Sequence, residues 1–239
     1  MNNPLVSVIL PVFNAESYVT EAIESVLSQD YRPIEIICVN DGSTDASLDA
    51  LRAFGEKIQV INCPKNQGIA MARNEAIRSA SGEYVAFMDA DDLWAPGKLS
   101  RQMRRLEGEP AADVSFTHIQ CFLSPELPLE VRSLRHCPPD PLPGYIPGTA
   151  VMKMSVFKKV GFFSPEWRVG EFVDWMARAR DCGMRFDLLP EVLFRRRIHA
   201  SNTGVTGRSN RVDYVKIVKE ALDRKRAAQT DNDSPASIS

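Results

Sequence analysis

Up to Asp92 the chain alternates between short unbroken apolar runs and segments whose apolar residues recur at helical spacing. That rhythm restricts the fold more than any other feature. Leu5–Leu10, Ile34–Val39, Ile58–Ile61 and Tyr84–Met88 read as buried strands. Val19, Ala22, Ile23, Val26 and Leu27 mark one helix face, and Ile69–Ser79 reads as a later helix. A helix after the second strand is expected to take Ser43 or Thr44 as its N-cap. Alternation of this kind builds right-handed βαβ units and a largely parallel sheet.

Four polar runs follow these strands: Pro11-Val12-Phe13-Asn14, Asn40 to Asp45, Asn66 to Asn74, and Asp89-Ala90-Asp91-Asp92. Open α/β sheets bind ligands outside the carboxyl ends of their strands, so four such loops describe one crevice. The last packs three carboxylates into four residues. Helix capping explains one of them; three imply a bound cation or a costly repulsion. Magnesium and manganese in phosphate chemistry take one or two carboxylates plus the substrate phosphates, and Asp89 and Asp91 fit that need. Asp41, at a strand end, can accept from a base N–H or simply close a turn. Arg73, one turn into its helix, either meets a phosphate or the Asp41 carboxylate, or lies on the surface.

After Asp92 the rhythm breaks. Lys98–Leu106 reads as a helix and Val114–Phe122 as a strand, and Ser124 to Pro147 then holds seven prolines. Proline fixes φ and removes a donor, so this stretch is expected to be one long irregular loop, either a functional lid beside the cleft or a passive insertion. Thr149–Met152 reads as a short strand, Ser155–Val160 as a helix, and Glu171–Cys182 as a helix stopped by Gly183. Leu188–Ile198 reads as strand interrupted at Pro190, Val212–Ala228 as a charged helix, and Gln229–Ser239 as a disordered tail.

Composition narrows the class. The 239 residues are 44% hydrophobic and 25% charged with a formal net charge of −2, which is ordinary for a soluble globular protein and gives no reason to expect nucleic acid. Five cysteines without CxxC spacing suggest neither a disulfide framework nor a zinc site. The sequence shows no apolar run long enough to span a bilayer and no signal segment, so a cytoplasmic location is expected.

The four loops together, in this order and spacing, resemble family 2 glycosyltransferases of the GT-A fold. So do Gly148-Thr149-Ala150, the run Val156 to Phe163, and Arg197-Ile198-His199 with Asn202. The likeness covers residues 5 to about 205. It implies an inverting, metal-dependent enzyme that moves a sugar from a nucleoside-diphosphate donor, with Mg2+ or Mn2+ as cofactor. On this resemblance Pro11, Phe13 and Asn14 belong to the nucleotide site, and Asp41 and Arg73 contact the base. Asp89 serves ribose and metal, Asp91 the metal, and His199 the metal or diphosphate. A UDP-sugar is the expected donor, although stacking on Phe13 suits any base. The acceptor stays open among glycans, lipid-linked sugars, peptides and small molecules.

One departure from the family bears on the base. Relatives place Glu-Asp at the start of the acceptor-side helix with the aspartate as base, whereas this chain has Glu171-Phe172. Asp174 and Glu171 lie on nearly one helix face, and Asp174 is the first choice for the base, with Glu171 second. The same departure keeps a non-catalytic nucleotide-sugar-binding protein as the alternative. A nucleotidyltransferase ranks below it, because Pro11–Asn14 is not a glycine-rich basic loop. The expected organisation is one domain over residues 1–228, with a nucleotide-sugar half to residue 108, an acceptor half from 109, and a disordered tail over 229–239.

Overall fold

A computed structural model describes residues 3–132, 137–200, 202 and 212–232. The four expected strands are β1 (Val6–Val12), β2 (Ile34–Asp41), β3 (Gln59–Cys63) and β4 (Tyr84–Phe87), paired in parallel in the order β3-β2-β1-β4. Three helices alternate with them: α1 (Val19–Leu27), α2 (Ser47–Arg52) and α3 (Ile69–Ser79). Helix α2 starts later than the sequence suggests. Its N-cap position is Ala46, which caps with no side chain, rather than Ser43 or Thr44; the Asp45 carboxylate just before it accepts from the backbone N–H and hydroxyl of Ser47.

The second half joins the same sheet and changes its sense. Beyond β4 come β8 (Val151–Lys153), β6 (Val114–Leu123), β9 (Phe186–Ile198) and β5 (Leu93–Trp94). The contacts β4–β8, β8–β6 and β9–β5 are antiparallel, so the expected parallel character holds for one half only. Strand β9 runs parallel to β6 through Pro190; the register jumps from Thr117↔Leu189 to His118↔Val192, and this bulge absorbs the proline.

The proline-rich stretch is more ordered than its composition predicts. It contains α5 (Leu129–Arg132) and β7 (Leu142–Gly144), which pairs antiparallel with β6. Pro143 is tolerated there because β7 has a sheet partner on one side only among the described residues. The lid expectation falls partly on residues 133–136, which lie outside the described residues.

Helices α4 (Lys98–Glu107), α6 (Val156–Val160) and α7 (Glu171–Asp181) complete two apolar layers. Successive side chains of a strand face opposite ways, and β1 shows it: Val6, Val8 and Leu10 pack with α1, Leu51 and α4, while Ile9 packs with α3, α6 and α7. The last helix, α8 (Val212–Asn232), extends four residues beyond the expected Ala228 and so replaces the start of the expected disordered tail; residues 233–239 lie outside the described residues.

Candidate active site

The ends of β1, β2 and β4 open into one cleft of about 930 Å³, closed on the far side by the start of α7, the end of β9 and Tyr214 of α8. Its rim is built from loops that hold one another. The Asn14 amide donates to Ser43 Oγ at 3.0 Å, and Asn14 Oδ1 accepts from the Thr44 amide at 2.8 Å. The Ala15 amide donates to Ser47 Oγ at 2.8 Å. Gly42, at φ +70°, allows this approach, since a Cβ there would lie 2.4 Å from the Lys65 carbonyl carbon. Phe13 projects from this rim, 49% exposed, a free ring face beside the cleft.

Asp41 and Arg73 do not meet. Asp41 is buried, and its two carboxylate oxygens accept from the Gln67 and Gly68 amides at 2.8 and 2.9 Å, which fixes the loop entering α3. Arg73, equally buried, reaches instead across the cleft floor to Asp89 Oδ1 at 2.8 Å and to Glu171 Oε1. One guanidinium thus ties the end of β4 to the start of α7. The surface reading of Arg73 is wrong, and so is its pairing with Asp41. Its Nε has no hydrogen-bond partner among the described residues.

The acidic loop splits into three environments. Burial raises the Asp89 carboxyl above its usual range, opposed by Arg73 and reinforced by Asp91. Asp92 is pushed well above that range, first by burial and then by Asp91 and Asp89, while its Oδ1 accepts from the Arg197 amide at 2.7 Å. Asp91 faces His199, whose Nε2 lies 2.8 Å from Oδ2, with the Asn202 side-chain amide 3.2 Å from the same oxygen. Arg197 locks this loop against β9 by donating to the Asp91 carbonyl at 2.9 Å. Arg197 is the last of three consecutive arginines on β9; Arg196 lines the cleft, and Arg195 lies outside it over the Phe122 ring.

Three wall residues carried no signal in the sequence reading: Tyr18, Arg168 and Tyr214. The Tyr18 ring lies 4.7 Å from the His199 ring, and its hydroxyl donates to Glu126 from the proline-rich stretch. Burial, and then Glu126, push that phenol up to about 12. Tyr18 stands one turn beyond Phe13, and Arg168 just ahead of α7; position relative to the recognised motifs is the only clue available for either.

Helix α7 separates the two candidate bases. Phe172 is core, packed against Phe116, Phe163 and Trp175. Glu171 lines the cleft, and its Oε2 takes no hydrogen bond among the described residues. Asp174 does not line it. That carboxylate accepts from Arg178 Nε at 2.9 Å and lies 3.9 Å from Arg224, on the side where α8 packs. Of the two carboxylates expected to compete as base, Glu171 faces the cleft and Asp174 faces away from it.

Among the described residues no three His, Cys, Asp or Glu side chains converge as a ready-made metal cage. The donor set still fits a hard divalent ion that takes most of its ligands from phosphate and water. Asp91 offers an oxygen with the His199 imidazole beside it; burial is the main cause of the raised Asp89 and Asp92 carboxyls, and the like charge that adds to it is the part a cation relieves. Asp89, committed to Arg73, is the weaker candidate of the expected three.

Comparison with known proteins agrees with this architecture. The "Uncharacterized glycosyltransferase RT0329" of Rickettsia typhi is 32% identical over 224 residues, 89% of this chain and 70% of that one. An "Uncharacterized glycosyltransferase" of Haemophilus influenzae is 43% identical over 106 residues, and the match spans 43% of this chain and 42% of that protein's length. Staphylococcus aureus TarS 1–349 in complex with UDP superposes with a TM-score of 0.65 at 23% identity, covering 83% of this chain and 61% of that one. The Pyrobaculum calidifontis mannosyltransferase PcManGT in complex with GDP-Man and Mn2+ gives 0.66 at 21%, covering 99% and 66%. These structural likenesses show the GT-A fold. The profile of the family described as "Glycosyl transferase family 2" matches residues 7–161, over the strands and loops that build the cleft, and the chain belongs to that family.

Proposed function

We propose that this protein transfers a glycosyl group from a nucleoside-diphosphate sugar to an acceptor by direct displacement, with inversion, and that Glu171 is the base. The observation that carries the reading is the Arg73 bridge, which sets a donor-side carboxylate, Asp89, and an acceptor-side carboxylate, Glu171, on opposite ends of one buried guanidinium. A binding module has no need of the second carboxylate in the cleft.

Phe13 offers a stacking face for the base, and Asp41, already holding Gln67 and Gly68, retains lone pairs for a base N–H. UDP is the favoured nucleotide; TarS, similar in fold, has been solved with UDP, and PcManGT with GDP-Man and Mn2+. Asp91, with His199 beside it, would hold a divalent cation, which when bound supplies positive charge for the diphosphate leaving group. Arg196 lines the same wall and adds a fixed positive charge near that leaving group. Glu171 takes the proton of the attacking hydroxyl at Oε2, while Arg73 holds the rotamer through Oε1.

Calorimetry with UDP, GDP and dTDP, followed by nucleotide release from a panel of their sugars with Mn2+ or Mg2+, tests the reading. Binding of one nucleotide with slow metal-dependent turnover of its sugar is expected. Binding to none of them refutes the donor assignment, and binding without turnover toward any acceptor favours the non-catalytic alternative.

A further inference from the structure

Helix α8 carries an apolar face that none of the described residues covers. Five of the ten exposed large hydrophobic side chains among the described residues stand on this one helix: Val212, Tyr214, Val215, Val218 and Leu222. The helix is not loose. Ile217 is 1% exposed, Arg224 Nε lies 3.2 Å from Asp181, and Asp213 accepts from the Arg168 amide at 3.1 Å. With this side fixed on the body, Val215, Val218 and Leu222 fall together on the outward side at spacings of three, four and seven, with Val212 one turn earlier. Val215 is 71% exposed, which is unusual for a residue that gains nothing from water.

The charges beside this stripe select its occupant. Lys219 lies inside it, four residues after Val215 and three before Leu222, and Lys216 and Lys225 stand at its borders. None of the three has a carboxylate within salt-bridge distance among the described residues, whereas Arg226 is paired with Asp223 at 3.7 Å. Packing a second protein helix on the stripe would bury the Lys219 ammonium. At a lipid surface the same side chain lays its methylenes along the acyl boundary and raises its charge to the phosphates. Among the described residues no helix is long and apolar enough to cross a membrane, so the mode of contact is in-plane.

We infer that α8 docks on an anionic lipid surface. Tyr214 lines the cleft, so docking sets the cleft mouth beside the membrane plane and makes the acceptor a membrane-borne molecule. The statement about the acceptor rests on the transfer reading above; the docking itself does not.

Flotation of the whole protein with phosphatidylcholine vesicles, with and without phosphatidylglycerol, tests this with no substrate present. The wild type should float with the anionic vesicles and stay behind with neutral ones. Val215→Asp with Leu222→Asp should abolish flotation. Lys219→Glu with Lys225→Glu should lower partitioning more than about tenfold, from about fivefold per basic residue near such a surface. Thermal midpoints should match the wild type, since all four side chains are exposed. Failure of the wild type to float at any composition overturns the inference, as does flotation that neither pair of changes alters. A concentration-dependent dimer lost in Val215→Asp, without flotation, overturns it in favour of a second copy. Donor hydrolysis on the same samples separates the two proposals: an inactive protein that floats refutes transfer alone, and an active one that does not float refutes docking alone.

Discussion

Glu171→Gln and Asp174→Asn should dissociate activity from stability, because the two carboxylates three residues apart do different work. Asp174 accepts a charged hydrogen bond from Arg178 at 2.9 Å, worth roughly 1.5–3 kcal/mol, and faces Arg224 at 3.9 Å across a third-exposed contact worth about 0–1 kcal/mol. Its loss should cost about 2–3 kcal/mol in all, which for a domain of this size lowers the thermal midpoint by roughly 4–12 °C. Nucleotide release should stay within about threefold of wild type, a barrier change under about 1 kcal/mol. Glu171→Gln keeps a neutral acceptor for Arg73, which Asp89 still neutralises, so stability should fall by only about 1 kcal/mol. Removing a general base costs on the order of 10²–10⁴ in rate, or roughly 3–5.5 kcal/mol of barrier. The assay is nucleoside-diphosphate release, first with donor alone and again with an acceptor drawn from glycan, lipid and peptide panels, beside calorimetric donor affinity and thermal unfolding. Glu171→Gln turning over at more than a tenth of the wild-type rate, or Asp174→Asn losing turnover at an unchanged midpoint, would refute the assignment.

Three further outcomes are expected. Asp91→Asn should remove the metal dependence of donor affinity while leaving the fold intact, checked by titrating the donor with and without Mn2+; an undiminished Mn2+ effect removes Asp91 from the cation site. Phe172→Ala empties a core position among Phe116, Phe163 and Trp175 and should cost roughly 3–5 kcal/mol in denaturant unfolding; a cost under about 1 kcal/mol would show that the ring is not packed. Lys98 is fully buried, its ammonium 4.2 Å above the Trp94 ring with no hydrogen-bond partner among the described residues, and burial drives it well below the usual lysine range. The folded state then binds fewer protons than the unfolded chain, so the destabilisation is complete below the lowered value and fades as pH rises toward the ordinary lysine range. Lys98→Met should raise the melting temperature by a few degrees near neutral pH, with a gap that closes toward alkaline pH; a gap independent of pH would contradict this.

How much of this was legible in the residues depends on how local the cause is. Strands β1, β2 and β4 were readable because both their faces are buried, which demands an unbroken apolar run. Strands β5 and β7, two and three residues long, were not; they are defined by partners about a hundred and about twenty-five residues away. The contact between Asp91 and His199 spans 108 positions, and only resemblance to a family anticipated that the two belong together. The turn of Asp174 away from the cleft did leave a trace in the sequence. Asp174 and Arg178 stand at the spacing of a helical ion pair, and Phe172, Trp175, Met176 and Ala179 mark the buried face that sets the helix phase. Read together, those two patterns turn Asp174 away from the cleft.

The interleaving of the sheet has a consequence for the order in which the chain can fold during synthesis. The edge of β4 is closed by β8, which leaves the ribosome more than sixty residues later, and β5 finds its partner only when β9 appears, about a hundred residues on. Until then a nascent chain carries a β4 edge of four buried-type residues, Tyr84 to Phe87, with unpaired backbone groups. Translation pauses that hold the chain between residues 110 and 150 should therefore be its most aggregation-prone interval, and chaperone capture should peak there.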